Sequence, residues 1–197
     1  MPHDALVALC LFALVSSITP GPSNFMLLTS GANFGFRRTL PLLLGIAFGF
    51  GALLLGLGLG LGALIAALPA LHLALKFAGA AWLLYLAWRI GTARGIGAGA
   101  AVPQPVGFLE SAAFQWINPK AWVAALSAMA VFTRAEAPFL STALIALVFS
   151  LAILPSLVAW AGFGMALRGA LTDERRLRVF NLAMGLLLAG SLWPMLR

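Results

Sequence analysis

The chain has 197 residues, 62% of them hydrophobic and only 9% charged, with a formal net charge of +7. Soluble domains carry about 25% charged residues, so this composition excludes one and makes the bilayer the solvent. The positive charge lies as arginines in short gaps between apolar runs, a pattern that reports membrane orientation and argues against a nucleic-acid partner.

Runs of the roughly 20 apolar residues that cross a bilayer recur along the whole chain, leaving room for one membrane domain, 1–197, and no soluble one. Met1-Pro2-His3-Asp4 lacks a basic leader, so the first span is expected to be retained. The lone cysteine, Cys10, sits in an apolar run and has no intrachain partner to oxidise with.

The first predicted span, 5–34, is interrupted by Thr19-Pro20-Gly21-Pro22-Ser23-Asn24. Two prolines remove two backbone donors, and Pro22 biases Gly21 away from helical geometry, so a helix passing here must break. Such a break is either a surface turn or half of a transport site. Gly35-Phe36-Arg37-Arg38 closes the span. The second, 40–68, is glycine-rich, and its small residues spaced by four let another helix approach closely. Pro69 is expected to end it. The third, 72–90, has Lys76 within about a turn of one end, where it can snorkel, and Trp88-Arg89 at the other. A Gly-, Ala- and Pro-rich linker with Arg94 follows.

The fourth span, 108–132, contains a second break, Gln115-Trp116-Ile117-Asn118-Pro119-Lys120. A fifth, 138–165, and a sixth, 179–196, complete an all-α integral membrane protein of six transmembrane helices. Arg37, Arg38, Arg89, Arg94, Arg168, Arg175, Arg176 and Arg178 fall on one side, against Arg134 and Arg197 on the other. The loops after spans one, three and five are therefore expected in the cytoplasm and both termini in the periplasm.

Aligning Pro20 with Pro119 places Ile18-Thr19-Pro20 on Ile117-Asn118-Pro119, each in the first span of a three-span half. Three is odd, so the halves run inverted, and matched interrupted helices in two halves point to a transporter site near the midplane. The resumed helices present unpaired N–H groups and positive dipole ends to an anion, with Ser23 and Asn24 able to cap or line the site. A mid-span lysine costs about 2.5–3.5 kcal/mol to insert and marks a solute pathway unless it only satisfies broken carbonyls. Lys120 is therefore a candidate for holding a carboxylate. Gln115 and Trp116 either accept an ammonium and cover an apolar side chain, or simply pack.

Thr19-Pro20-Gly21-Pro22, Gly35-Phe36-Arg37-Arg38 with Gly45 beyond it, the stretch from Lys76 to Leu86, and Asn118-Pro119-Lys120-Ala121-Trp122 together resemble the LysE/RhtB translocators in order and spacing. The resemblance implies an exporter of amino acids or their derivatives in the bacterial inner membrane. It is driven by the proton motive force with no cofactor, and its two Pro segments lie at the translocation site. The expected partners are a small amino-acid substrate, the lipid bilayer and a second copy of the chain in a homodimer.

None of the acids Asp4, Glu110, Glu136, Asp173 and Glu174 lies clearly mid-span, which favours a neutral substrate of the threonine, homoserine, leucine or cysteine-derivative type over a basic one. Glu110, about two turns before Gln115 and Asn118, is either a proton relay or a solvated interfacial acid. Chemistry would ask for a nucleophile with a base or a metal cluster, and His3 and His72 both lie outside the expected cavity, so no enzyme is expected. A non-transporting membrane subunit is the remaining alternative.

Overall fold

The computed structural model describes residues 1–93 and 104–193, and among these the ordered elements are helices. In chain order they are α1 (His3–Ile18), α2 (Pro22–Phe34), α3 (Phe36–Gly58), α4 (Leu61–Ala67), α5 (Pro69–Gly91), α6 (Phe108–Gln115), α7 (Pro119–Phe132), α8 (Pro138–Ala152), α9 (Leu154–Leu167) and α10 (Glu174–Gly190). Most of the linker expected after the third span, with Arg94, lies outside the described residues, as does Arg197.

Proline sets the helix starts. Pro22, Pro69, Pro119 and Pro138 each occupy the first turn of a helix, where the missing N–H has no intrahelical role. The two Pro clusters therefore restart helices within apolar runs. α1 and α2 meet at 63°, and α6 and α7 are separated by Trp116-Ile117-Asn118.

Three segments are long and apolar enough to cross a bilayer, Phe36–Gly58, Leu73–Gly91 and Pro138–Leu167, the last joining α8 and α9. Counting α1 and α2 as one bent crossing makes four. The second span ends sooner than its composition suggests. Gly60 adopts φ +96°, which stops α3 at Gly58, and Pro69, expected to end that span, opens α5 instead.

The surface is apolar, with Val15, Phe48, Phe77 and Phe139 exposed, while Asn24, Gln115, Asn118 and Asn181 are buried. That inversion suits a chain solvated by lipid.

Close backbone approaches fix how the long helices run. A Cβ on Gly31 would meet the Ala161 carbonyl at 2.2 Å, and one on Gly164 the Leu28 carbonyl at 2.1 Å, which marks where the helices cross; Ser23 and Asn24 share one pocket lining with Ile153 and Leu157 before the crossing, and Gly35 lies against Arg168 beyond it, so α2 and α9 run parallel. Gly45 faces Ser111 and Phe108, Gly49 faces Ala112 and Gly56 faces Trp116, so α3 and the α6 segment are also parallel. α5 and α10 cross antiparallel, with Gly185 against Ala87 and Gly91, and Gly58 at Thr142 with Gly51 at Ser150 makes α3 and α8 antiparallel. In lipid such small-residue contacts supply packing where the hydrophobic effect is absent.

Candidate functional site

The two breaks meet. Ser23, in the first turn of α2, lies between the side chains that end α6 and cap α7. Gln115 Nε2 donates to Ser23 Oγ at 3.3 Å, and Asn118 Nδ2 donates to the same oxygen at 3.2 Å. Asn118 also stands 3.5 Å from Gln115 Oε1 and accepts the Lys120 N–H at 3.2 Å, which makes it the N-cap of α7. Gln115 is anchored in turn by donating to the Ser111 carbonyl at 3.1 Å. Both amide side chains are at least 97% buried, so their hydrogen bonds hold them in fixed geometry.

Lys120 crosses to the other break. Its ammonium donates to the Thr19 carbonyl and, at 3.5 Å, to the Pro20 carbonyl. Asn24 Nδ2 donates to the Ser17 and Thr19 carbonyls at 2.8 Å each. Thus the acceptors left by the end of α1, where the helix dipole is negative, receive one amide and one cation. The amides of Asn24 and Phe25 bond the Gly21 carbonyl at 3.0 Å, so the first turn of α2 already uses part of its donor set internally.

Around this polar junction lies a pocket. Its polar lining is Ser16, Ser17, Ser23, Asn24, Gln115, Asn118 and Lys120, and its apolar wall includes Ile46, Phe50, Phe149, Ile153 and Leu157. Phe50 and Phe149 stack with ring centres 4.6 Å apart. Among the described residues no carboxylate lines it. The chamber offers one cation, several neutral donors and acceptors, and an apolar surface.

The sequence profile of the LysE type translocators matches residues 14–191, from within α1 to just past α10, taking in both breaks. The chain belongs to the LysE type translocator family. Its relatives include a cysteine/O-acetylserine efflux protein of Salmonella choleraesuis (strain SC-B67), 32% identical over 127 residues. That stretch is 64% of this chain and 65% of the relative, so the chain spans just under two thirds of that protein's length. The cysteine/O-acetylserine efflux protein of Escherichia coli (strain K12) is 30% identical over 141 residues, 72% of each chain. No solved structure matches this LysE type chain.

The residues singled out in the sequence take different places in this translocator. Ser23, Asn24, Gln115, Asn118 and Lys120 line one pocket. Thr19 and Pro20 reach it through carbonyls, Pro22 and Pro119 restart the helices, and Gly21 packs on Lys120. Trp116 stands apart from the lining, with its carbonyl accepting Trp122 Nε1–H at 2.7 Å and its ring against Gly56. Glu110 is also elsewhere. It pairs with Arg89 Nη1 at 2.7 Å and accepts the Gly107 N–H at 3.3 Å at the head of α6.

Ser16 and Ser17 were not singled out, although two serines just before a Pro break in an apolar run were a usable signal. The apolar wall carried none, since its residues look like any others in a lipid-facing chain.

Proposed function

We propose that this LysE type translocator exports a small neutral amino acid of the cysteine or O-acetylserine class from the cytoplasm, by exchange with protons. The observation that carries this reading is the meeting of the two Pro breaks around Ser23, Gln115, Asn118 and Lys120 in one pocket. The substrate carboxylate takes the Lys120 ammonium in place of the Thr19 and Pro20 carbonyls, assisted by donors of Asn118 and Gln115. The released carbonyls, with Ser17 nearby, then serve the substrate ammonium. A short side chain rests on the wall of Phe50, Phe149 and Leu157. The absence of a lining carboxylate among the described residues disfavours lysine or arginine as cargo. The names of the Salmonella and Escherichia relatives support the cysteine class.

In this reading the chain is a single transporter domain in the bacterial inner membrane, with six crossings in two inverted halves. The crossings are α1–α2, α3, α5, α6–α7, α8–α9 and α10. Chains that cross alternately have parallel first and fifth, parallel second and fourth, antiparallel third and sixth, and antiparallel second and fifth spans. The close approaches of α2 to α9, α3 to α6, α5 to α10 and α3 to α8 follow that rule. Exchanging spans one, two and three with four, five and six maps this set of pairs onto itself, as a two-fold relation between halves requires. Gly35 with Arg168, and Arg89 with Glu110, bring the loops after spans one, three and five to one end. The basic excess there supports a cytoplasmic assignment, with both termini periplasmic. Glu110 carries the exchanged proton from that end, no cofactor takes part, and the chain pairs with a second copy as a homodimer.

The test is efflux from proteoliposomes loaded with radiolabelled O-acetylserine, cysteine or lysine, with and without an inward proton gradient. Efflux of the first two, accelerated by the gradient and absent for lysine, is expected. Equal lysine efflux, or indifference to the gradient, overturns the substrate class or the coupling respectively.

A further inference from the structure

A second, small cavity lies beside α2 on the arginine-rich side of the central pocket, bounded by α5 and the segment that leads into α6. Its polar lining comes from Thr29, Ser30, Asn33, Arg89 and Gln104. Most of these groups are satisfied. Ser30 shares a 2.8 Å hydrogen bond with Thr39, and Asn33 exchanges amide bonds with Asn181 at 2.8 and 3.1 Å. Thr29 is the exception. It is 95% buried and its hydroxyl has no hydrogen-bond partner, in a helix whose other polar side chains have found one. A buried hydroxyl without a partner is an uncommon and costly arrangement that a bound polar molecule relieves.

Arg89 is the cation of this cavity. One arm donates to Glu110 Oε1 and the other to the Gln104 carbonyl, both at 2.7 Å. Arginine has five N–H donors in a planar fork, so a carboxylate can join or replace Glu110 there in bidentate fashion. α2 borders both cavities. Ser23 faces the central one and Met26, Ser30 and Asn33 the inner one, recurring at helical spacing along one flank. Thr29 lies six positions beyond Ser23 on α2, which is about 9 Å along the axis.

We propose that this cavity is a second, inner binding site for the exported amino acid, in which Arg89 takes the carboxylate and the Thr29 hydroxyl bonds the polar end of the molecule. A solute entering from the cytoplasm rests here before passing along α2 to the pocket at Lys120. The inference depends on the export reading above and adds to it a site, a charge partner and an entry side.

The test uses O-acetylserine uptake into inside-out membrane vesicles, whose outer face is the cytoplasmic one, and into right-side-out vesicles. Thr29→Val removes only a hydroxyl that bonds nothing in the protein, so its melting temperature in detergent should match the unsubstituted chain. Its half-saturating concentration at the cytoplasmic face should rise about fivefold, the scale of one lost hydrogen bond, with Arg89→Gln at least as large. Thr29→Ser should restore the original value, and half-saturation at the opposite face should not move. An unchanged cytoplasmic half-saturation in Thr29→Val, or equal rises at both faces, overturns the inner site. Absence of saturable uptake by the unsubstituted chain overturns the export reading itself, and the inner site with it.

Discussion

Lys120 reaches from the start of α7 to the carbonyls that end α1, so one side chain ties both helix breaks together. Lys120→Met keeps much of the stem and removes the charge. Amino-acid efflux should fall about 10- to 100-fold, the worth of a charge-assisted hydrogen bond, while the protein still purifies as a folded species. Initial efflux rates from proteoliposomes measure it, and an unchanged rate would remove Lys120 from the mechanism. Gly21 provides an independent probe. Its backbone is extended, with φ −178°, so a side chain there meets no conformational penalty. What a Cβ meets is Lys120, at 2.8 Å from Cδ and 3.2 Å from Nζ. Gly21→Ala should therefore displace the ammonium from its carbonyls and lower efflux, with little loss of thermal stability because the lysine stem yields. Much of the polar half of the site was legible in sequence because prolines, Gln115, Asn118 and Lys120 interrupt apolar runs at two matched places. Its apolar wall was not. In a soluble protein an alternation of polar and apolar residues separates inside from outside, but in lipid both faces of a helix are apolar. Ile46, Phe50, Phe149, Ile153 and Leu157 therefore carry no mark in the sequence.

Between helices, the closest approaches decide stability. Added methyl groups at Gly31 and Gly164 would stand 2.2 and 2.1 Å from backbone carbonyls, which cannot rotate aside. Gly31→Ala and Gly164→Ala should each cost about 1–3 kcal/mol by overpacking the α2–α9 contact, whereas Gly162→Ala, with open space around it, should not. Melting temperatures in detergent separate the two outcomes. The Asn33–Asn181 pair joins α2 to α10, and Asn181 also donates to the Ala93 carbonyl at 3.1 Å. Asn181→Leu leaves a buried amide without its partner and should cost about 1–3 kcal/mol, while Asn33→Leu with Asn181→Leu should cost less than the sum of the single changes. The helix breaks were readable because proline dictates them locally. Helix ends were less so. Proline ends one helix as readily as it starts the next, and the short α4 and the left-handed Gly60 place the end of α3 well before Pro69.

Across the whole molecule, the directions of the helix pairs and the distribution of arginine support six alternating crossings. The α6 and α10 regions were expected as parts of full spans. α6 has 8 residues and α7 has 14, so neither is long enough to cross a bilayer by itself, and α10 begins in a charged first turn at Glu174, Arg175 and Arg176. In a Cys10→Ala background, cysteines at Arg38 and Arg176, both exposed, should react with an impermeant maleimide only from the cytoplasmic face, and one at exposed Glu136 only from the periplasmic face. Reaction of Arg38→Cys and Glu136→Cys from the same face would refute the alternating order. The joint site of the two helix breaks is tested most directly by a single cysteine at Ala124, which lines the central pocket without a hydrogen-bonding role there. The measurement is the rate at which a small water-soluble maleimide labels Ala124→Cys in the Cys10→Ala background, with and without saturating O-acetylserine. Slowing of at least about fivefold by O-acetylserine, but not by lysine, is the expected result. Labelling that O-acetylserine leaves unchanged, in protein that still exports it, would place the solute somewhere other than the meeting point of the two breaks.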